Sequence, residues 1–256
     1  MWKSQFISVI LPTFNEKDSV AGCIGEFYDT GLVDEVLVVN NNAAPGTSAE
    51  VAKTPAREVL EPLQGYGNAI RRGLREARGD LIIVCEPDGT FFGKDVIKLL
   101  AFSDDFDVVY GTRTSEEFIW TGANMGFFLK WGNYAVAKLM EFLFNTVCLT
   151  DVGCTYRLIK RTALQEIEPH FTVGGSHFGP EMMLITVLKR MKIVQIPVNY
   201  RPRVVESAVT GDLVKAFFLG LKMVGMIWAF WFRRFGRRLS GRPMFAEPSV
   251  QSGTRP

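Results

Sequence analysis

The sequence predicts an α/β protein built on a mostly parallel sheet, on three observations. Short apolar runs alternate with stretches of helical period through the first half of the chain, as in strand-helix-strand units joined by right-handed crossovers. One run, Leu81 to Cys85, is continuously apolar, the mark of a strand covered on both faces. The polar motifs of this half each follow a strand, and open α/β sheets bind ligands beyond the carboxyl ends of their strands.

Phe6 to Leu11 reads as the first strand, followed by the loop Pro12-Thr13-Phe14-Asn15-Glu16 and a helix from Asp18 to Tyr28. Glu35 to Val39 is the second strand, ending at Asn40-Asn41-Asn42, and Arg57 to Leu60 a short third. From Gly65 to Gly79 the positions Ala69, Ile70, Gly73, Leu74 and Ala77 keep a helical period, with Arg71, Arg72, Arg75 and Arg78 mostly on the other face. The Leu81 strand must close at Cys85 or Glu86, because Pro87 brings no amide donor. Lys94 to Phe102 is helical, and Asp107 to Tyr110 is a fifth strand leading into Gly111-Thr112-Arg113. The second half is less regular. Phe127 to Asn145 reads as a long apolar helix, Asp151 to Ile159 as a loop entering a strand, Glu181 to Met191 as a helix and Ile193 to Val198 as a strand. Residues 239 to 256, rich in Gly, Pro, Ser and Arg, are predicted to be disordered.

At 256 residues the chain is long enough for a substantial core, and 47% apolar with 22% charged residues is ordinary for a globular protein. A net charge of +2 gives no footing for nucleic-acid binding, although Arg233, Arg234, Arg237, Arg238 and Arg242 crowd the C-terminal end. The four cysteines form no CxxC pair, which favours free thiols in a reducing compartment. The N-terminus lacks the apolar core and cleavage site of a signal peptide, so it is read as the first strand of a cytosolic domain.

Glu86 and Asp88 emerge two residues apart just beyond the buried strand. On the residues alone they suit either a solvated turn or a divalent cation. Oxygen ligands favour Mg²⁺ or Mn²⁺, and Mg²⁺ commonly takes one or two carboxylates together with substrate phosphates. His170 and His177 have no matching cluster, which argues against zinc.

LPTFNE after the first strand, the asparagine cluster after the second, GYGNAIRRGL opening a helix, GDLIIVCEPDGTF and VVYGTR occur in the order found in family 2 glycosyltransferases. The chain resembles that family, and within it the polyprenyl-phosphate (dolichyl-phosphate) sugar synthases. The resemblance implies a GT-A type, Rossmann-like nucleotide-sugar transferase domain over residues 1–205. It implies that Pro12, Thr13, Asn15 and Glu16 line the base and ribose pocket, with Asn40 and Asn41 nearby, and that Gly65 and Gly67 let the backbone approach the nucleotide. Glu86 and Asp88 match the family's acidic pair around Mg²⁺ or Mn²⁺; the family commonly has Asp at the first position, which puts the weight on Asp88. The implied reaction is an inverting, in-line displacement at the anomeric carbon of a GDP- or UDP-linked sugar.

For the acceptor, Arg113, Lys130, Arg201 and Arg203 resemble basic positions that hold the lipid phosphate. Asp151, in DVGCTYR, resembles the first residue of the family's D-x-x-x-GFR pattern and either orients the acceptor, takes a proton or caps a turn. Asp88, Asp151 and Arg113 form the expected catalytic set, and Glu181 is either a second acid of the site or a helix cap. The family's R-x-x-G-x-S-K segment reads here Arg203, Val204, Val205, Glu206, Ser207, Ala208, without the Gly and Lys. Two other readings compete: transfer to a hydroxyl of a glycolipid or saccharide, with Asp151 or Glu181 as base, and a decayed site on a membrane-binding scaffold.

Leu213 to Phe232 has no acid and two cations, Lys215 and Lys222, on one helical face. Twenty such residues can span a ~30 Å hydrocarbon core. A spanning pose, however, would place Lys222 near its middle and carry the following arginines across. An in-plane amphipathic helix over residues 206–238 meets both constraints, with Trp228 and Trp231 at headgroup level and the arginines on anionic lipid. A buried core helix is the alternative, and Phe127, Phe128 and Trp131 are expected to extend the lipid-facing surface. The sequence thus predicts a peripheral enzyme on the cytosolic face of a membrane.

Overall fold

A computed structural model describes residues 2–123, 127–204, 213–240 and 244–245. Strands β1 (Ile7–Thr13), β2 (Glu35–Asn40), β3 (Arg57–Leu60), β4 (Leu81–Val84), β5 (Val108–Thr112), β6 (Arg157–Lys160) and β7 (Ile193–Pro197) form one sheet in the order β3-β2-β1-β4-β6-β5-β7. All neighbouring pairs are parallel except those of β6, which runs antiparallel to both β4 and β5. The helices are α1 (Lys17–Tyr28), α2 (Thr47–Val51), α3 (Tyr66–Glu76), α4 (Val96–Phe102), α5 (Phe127–Phe144), α6 (Arg161–Ile167), α7 (Phe178–Leu188) and α8 (Leu213–Leu239).

Every residue of β1, β4 and β5 is buried. Alternate side chains go to opposite faces. Ile10, Val39, Ile82, Val84 and Tyr110 pack with α3, α5, α6 and α7, whereas Val9, Leu11, Val38, Ile83 and Val109 pack with α1 and α4. β1 runs past the expected Leu11 to include Pro12. The Cys85 amide donates to the Ile10 carbonyl (3.0 Å) and the ladder to β4 ends there, so Pro12, facing the same side two residues on, lacks a donor only where none is needed. Helix α7 starts at Phe178, ahead of the expected Glu181, with Pro180 inside the first turn, where an amide donor has no helical partner.

The parallel strands are held at their amino ends by Glu35. Its Oε2 accepts from the Ser8 hydroxyl (2.5 Å) and the Arg78 amide (2.9 Å), and its Oε1 from Arg57 Nη2 (2.9 Å). Burial works to raise the Glu35 pKa, but these hydrogen bonds and the Arg57 charge hold it below its ordinary value of 4.5. A carboxyl whose pKa falls on folding stabilises the fold above its unfolded pKa, and that contribution is lost as the pH drops through the folded value. Glu35→Gln is therefore expected to lower the thermal midpoint at pH 7, by an amount that shrinks towards pH 3; an equal loss at both pH values would contradict this role.

Helix α8 continues past Phe232 to Leu239. Met223, Ile227 and Phe230, at i, i+4 and i+7, form its buried seam, and the helix contacts α5 and α7. Val214, Phe217, Phe218, Leu221, Trp228, Phe232, Phe235 and Leu239 repeat the same spacings on the outer side and are all exposed. A core helix would bury most of its apolar surface, and α8 buries only this narrow seam. Trp131 on α5 is also exposed. Of the stretch expected to be disordered, Leu239 and Ser240 belong to or follow α8, Met244 and Phe245 pack on the core, and Phe245 stacks on His170 at 4.2 Å. The remainder lies outside the described residues.

Candidate active site

The loop Glu86-Pro87-Asp88-Gly89-Thr90 leaves β4 at the carboxyl edge of the sheet. Asp88 is 1% exposed, and its Oδ1 accepts from the Thr90 amide (2.9 Å) and hydroxyl (2.6 Å), a side-chain-closed turn. Gly89 supplies the positive φ of +81° that the turn requires. Ser19 at the start of α1 donates to the Pro87 carbonyl (2.6 Å), tying the first βα unit to this loop.

Glu86 and Asp88 do lie together, and Arg203 lies on them. Arg203 Nη2 is 2.6 Å from Asp88 Oδ2 and 3.3 Å from Glu86 Oε2. The short contact to Asp88 is poorly aligned, leaving Oδ2 buried without a directed hydrogen bond. Burial and the neighbouring Asp88 charge push the Glu86 carboxyl up to about 7, against the pull of Arg203 and Arg113. Glu16 adds to the negative field on Glu86, while its Oε2 accepts from the amides of Phe14 (2.6 Å) and Asn15 (2.9 Å).

The antiparallel β6 decides the other side of the site. Its amino end lies beside the carboxyl end of β5, which brings Asp151 onto Arg113. Arg113 gives Asp151 three hydrogen bonds, from its amide (3.1 Å), Nε (2.8 Å) and Nη2 (3.0 Å), and Gly153 adds a fourth through its amide (2.9 Å). Burial alone would raise the Asp151 pKa; the Arg113 guanidinium and these amides outweigh it and hold the carboxyl below its ordinary range. A buried aspartate so engaged is a poor proton acceptor, and its evident work is to fix Arg113, which also lies over the Tyr200 ring at 5.2 Å. Glu181 is likewise fully buried and accepts from Thr172 and from the Val173 amide (3.0 Å), fastening the loop before α7.

Other expected residues are occupied by the chain itself. Arg201 donates to the carbonyls of Gly89 and Phe91 and pairs with Glu26 (2.5 Å), and Lys130 pairs with exposed Glu116 (2.9 Å). Asn41 donates to the carbonyls of Glu61 (2.7 Å) and Leu63 (2.9 Å) and accepts from the Gly65 amide (2.8 Å), so it shapes the loop ahead of α3. Asn40 bonds Ser48 and Glu58 (2.9 Å). Pro12 and Thr13 end β1 in the buried floor, and Asn15 is exposed above them. A side chain on Gly67 would put its Cβ 2.6 Å from the Val173 carbonyl, and one on Gly65 2.3 Å from that of Gly174. The close approach these glycines permit is thus to the Val173–Gly174 loop. Tyr200 was not singled out from the sequence; its only local signal is its place beside Arg201 and Arg203. Val205, Glu206, Ser207 and Ala208 lie outside the described residues.

Among the described residues no group of three or more His, Cys, Asp or Glu could hold a metal by itself. The donor set fits Mg²⁺ or Mn²⁺ nonetheless: two carboxylates on one turn, one presenting a buried oxygen with no directed donor, leave the remaining positions to a diphosphate and water.

A family model described as Glycosyl transferase family 2 matches residues 8–168, more than half of the chain. The chain belongs to that family. This glycosyltransferase is 28% identical over 204 residues to the low-salt glycan biosynthesis hexosyltransferase Agl6 of Haloferax volcanii, an alignment covering 77% of this chain and 48% of Agl6. It is 24% identical over 199 residues to glycosyltransferase AglJ of the same organism, covering 77% and 63%. The glycosyltransferase thus spans only part of these relatives, about half in the case of Agl6. Among solved structures, glucosyl-3-phosphoglycerate synthase of Mycobacterium tuberculosis in complex with Mn²⁺, UDP and glucosyl-3-phosphoglycerate has a TM-score of 0.69 at 17% identity, covering 88% of this chain and 80% of that one. Its complex with Mg²⁺ and UDP gives 0.68 at 16% identity, covering 88% and 79%. The glycosyltransferase has the GT-A type fold that its motifs implied.

Proposed function

We propose that the protein transfers a hexose from a nucleotide-sugar to a polyprenyl phosphate at the cytosolic surface of a membrane. The observation that carries the choice of acceptor is that both carboxylates considered as bases, Asp151 and Glu181, are buried and committed to other groups. A hydroxyl acceptor needs a base to take its proton, whereas a phosphate monoester is already an anionic nucleophile at neutral pH. The exposed apolar stripe of α8, flanked by lysines and arginines, supports a lipid-borne acceptor. UDP is favoured as the donor's nucleotide because the mycobacterial synthase of the same fold holds UDP and UDP-glucose.

Asp88 and Glu86 would hold Mg²⁺ or Mn²⁺, which when bound neutralises charge growing on the departing diphosphate. The β1 and β2 carboxyl ends and the loop shaped by Asn41 would seat the nucleotide. Arg113, fixed by Asp151, would set a positive charge beside the reacting centre. The acceptor oxygen attacks the anomeric carbon in line as the bond to the diphosphate breaks, inverting the configuration.

The test supplies the full chain with Mn²⁺, UDP- or GDP-sugars, and polyprenyl phosphate in anionic vesicles. Nucleoside diphosphate should appear only when lipid phosphate is present. Paired Phe218→Glu and Phe232→Glu should remove vesicle binding and turnover on vesicles, while sparing turnover on a detergent-dispersed short-chain phosphate. Equal turnover on phosphoglycerate or on a saccharide hydroxyl would overturn the reading.

A further inference from the structure

Arg203 reaches the acidic pair from a strap that is fastened to the same loop by its backbone. The Arg201 amide donates to the Thr90 carbonyl (2.9 Å) and the Val204 amide to the Asp88 carbonyl (3.1 Å), with Arg203 between them. The Arg201 side chain adds its bonds to Gly89 and Phe91 and lies over the Phe92 ring at 4.3 Å. Val204 packs so closely on Gly89 that a Cβ there would stand 2.7 Å from Val204 Cγ2. The strap therefore holds its place whatever the Arg203 side chain does.

The guanidinium itself is held differently. A single nitrogen, Nη2, touches both carboxylates, at 2.6 Å and 3.3 Å, the bridging position of a cation. Its alignment to Asp88 is poor, and Arg203 Nε is buried without an acceptor. One long hydrogen bond to Glu86 Oε2 and the charge of the two carboxylates hold it there. A guanidinium in a low-dielectric site loses much by leaving its Nε unpaired, and a compact divalent cation satisfies the same two oxygens without that penalty.

We propose that Arg203 is a resident counter-cation of the acidic pair: a divalent cation displaces it from between Glu86 and Asp88, and the released guanidinium, still carried by the strap, then binds the phosphate oxygens of the incoming ligand. This rests on the reading of Glu86 and Asp88 as the metal site. Arg203 accordingly has two stations, one on each side of metal loading. Glu16 and Arg113 also face the pair, and their charges stay in place through the exchange.

The experiment is calorimetric titration of the full chain with Mn²⁺ alone, then with Mn²⁺ in the presence of UDP, for the native protein, Arg203→Gln, Arg203→Lys and Asp88→Asn. Arg203→Gln should bind Mn²⁺ alone about tenfold more tightly than the native chain, the effect of removing a competing charge worth about 1.4 kcal/mol. Arg203→Lys should stay near native affinity, and UDP should strengthen Mn²⁺ binding less in Arg203→Gln than in the native chain. Thermal unfolding of each variant verifies that the fold is retained. Unchanged or weaker Mn²⁺ binding by Arg203→Gln, with binding abolished in Asp88→Asn, overturns the exchange while leaving the metal site standing. Binding by none of the four proteins, with or without UDP, or binding equal in all four, overturns the metal site and the exchange together.

Discussion

Asp88→Asn should cut sugar transfer by on the order of 10²–10³-fold, because a Lewis acid at a departing diphosphate is worth several kcal/mol of barrier. The substitution keeps the oxygen that accepts from Thr90 and so preserves the turn. It replaces Oδ2, the oxygen without a directed donor, by an amide that no cation will accept as a ligand in its place. The thermal midpoint should move little, because Glu86 remains to balance the Arg203 charge, while Mn²⁺ binding and turnover collapse together. Loss of turnover with native Mn²⁺ affinity would place the metal elsewhere.

Asp151→Asn should act the other way round, on stability first. Arg113 is 12% exposed and its partner fully buried, so neutralising Asp151 strands a guanidinium inside the protein. Breaking one side of a buried pair costs about 3–5 kcal/mol, a fall in midpoint on the order of 10 °C for a chain of this size. Arg113→Gln combined with Asp151→Asn should recover much of that loss, since the uncompensated charge is gone. The Asp151 pKa is lowered on folding, so its contribution is present above the unfolded value and disappears as the pH falls through the folded one. An Asp151→Asn protein of native stability and no turnover would instead identify Asp151 as an essential base and revive the hydroxyl acceptor.

The first five strands and the acidic pair were legible because their signals are local. Strands buried on both faces read as unbroken apolar runs, and a proline after such a run marks where a ligand loop begins. The short helices α2 and α6 escaped for different reasons: α2 has five residues, too few to display a helical period, and α6 begins at Arg161 directly after β6 ends at Lys160, with no turn residues to mark the change. What sequence could not give was pairing across distance. Nothing in DVGCTYRLIK encodes that its strand runs against β4 and β5, yet that direction alone sets Asp151 on Arg113. Arg201 and Arg203 were expected on phosphate for their charge, but Glu26 and the acidic pair, more than a hundred residues away, decide where they rest. Asn40 and Asn41 were expected near the base and ribose pocket; Asn41 and Asn42 bond the loop ahead of α3, and Asn40 bonds Ser48 of α2 and Glu58 of β3.

The place of β6 also orders the making of the protein in time. β3, β2, β1 and β4 are neighbours in a single block encoded before Cys85, but β4 meets β5 only through a strand that begins at Arg157. During synthesis the half carrying Glu86 and Asp88 can thus assemble while its β4 edge stands open, with the unpaired main-chain groups that make an exposed edge prone to sticking. Only when the ribosome has delivered residues 157–160 is that edge closed and Arg113 brought to its station. The strand that completes the candidate site is also the one that closes this open edge.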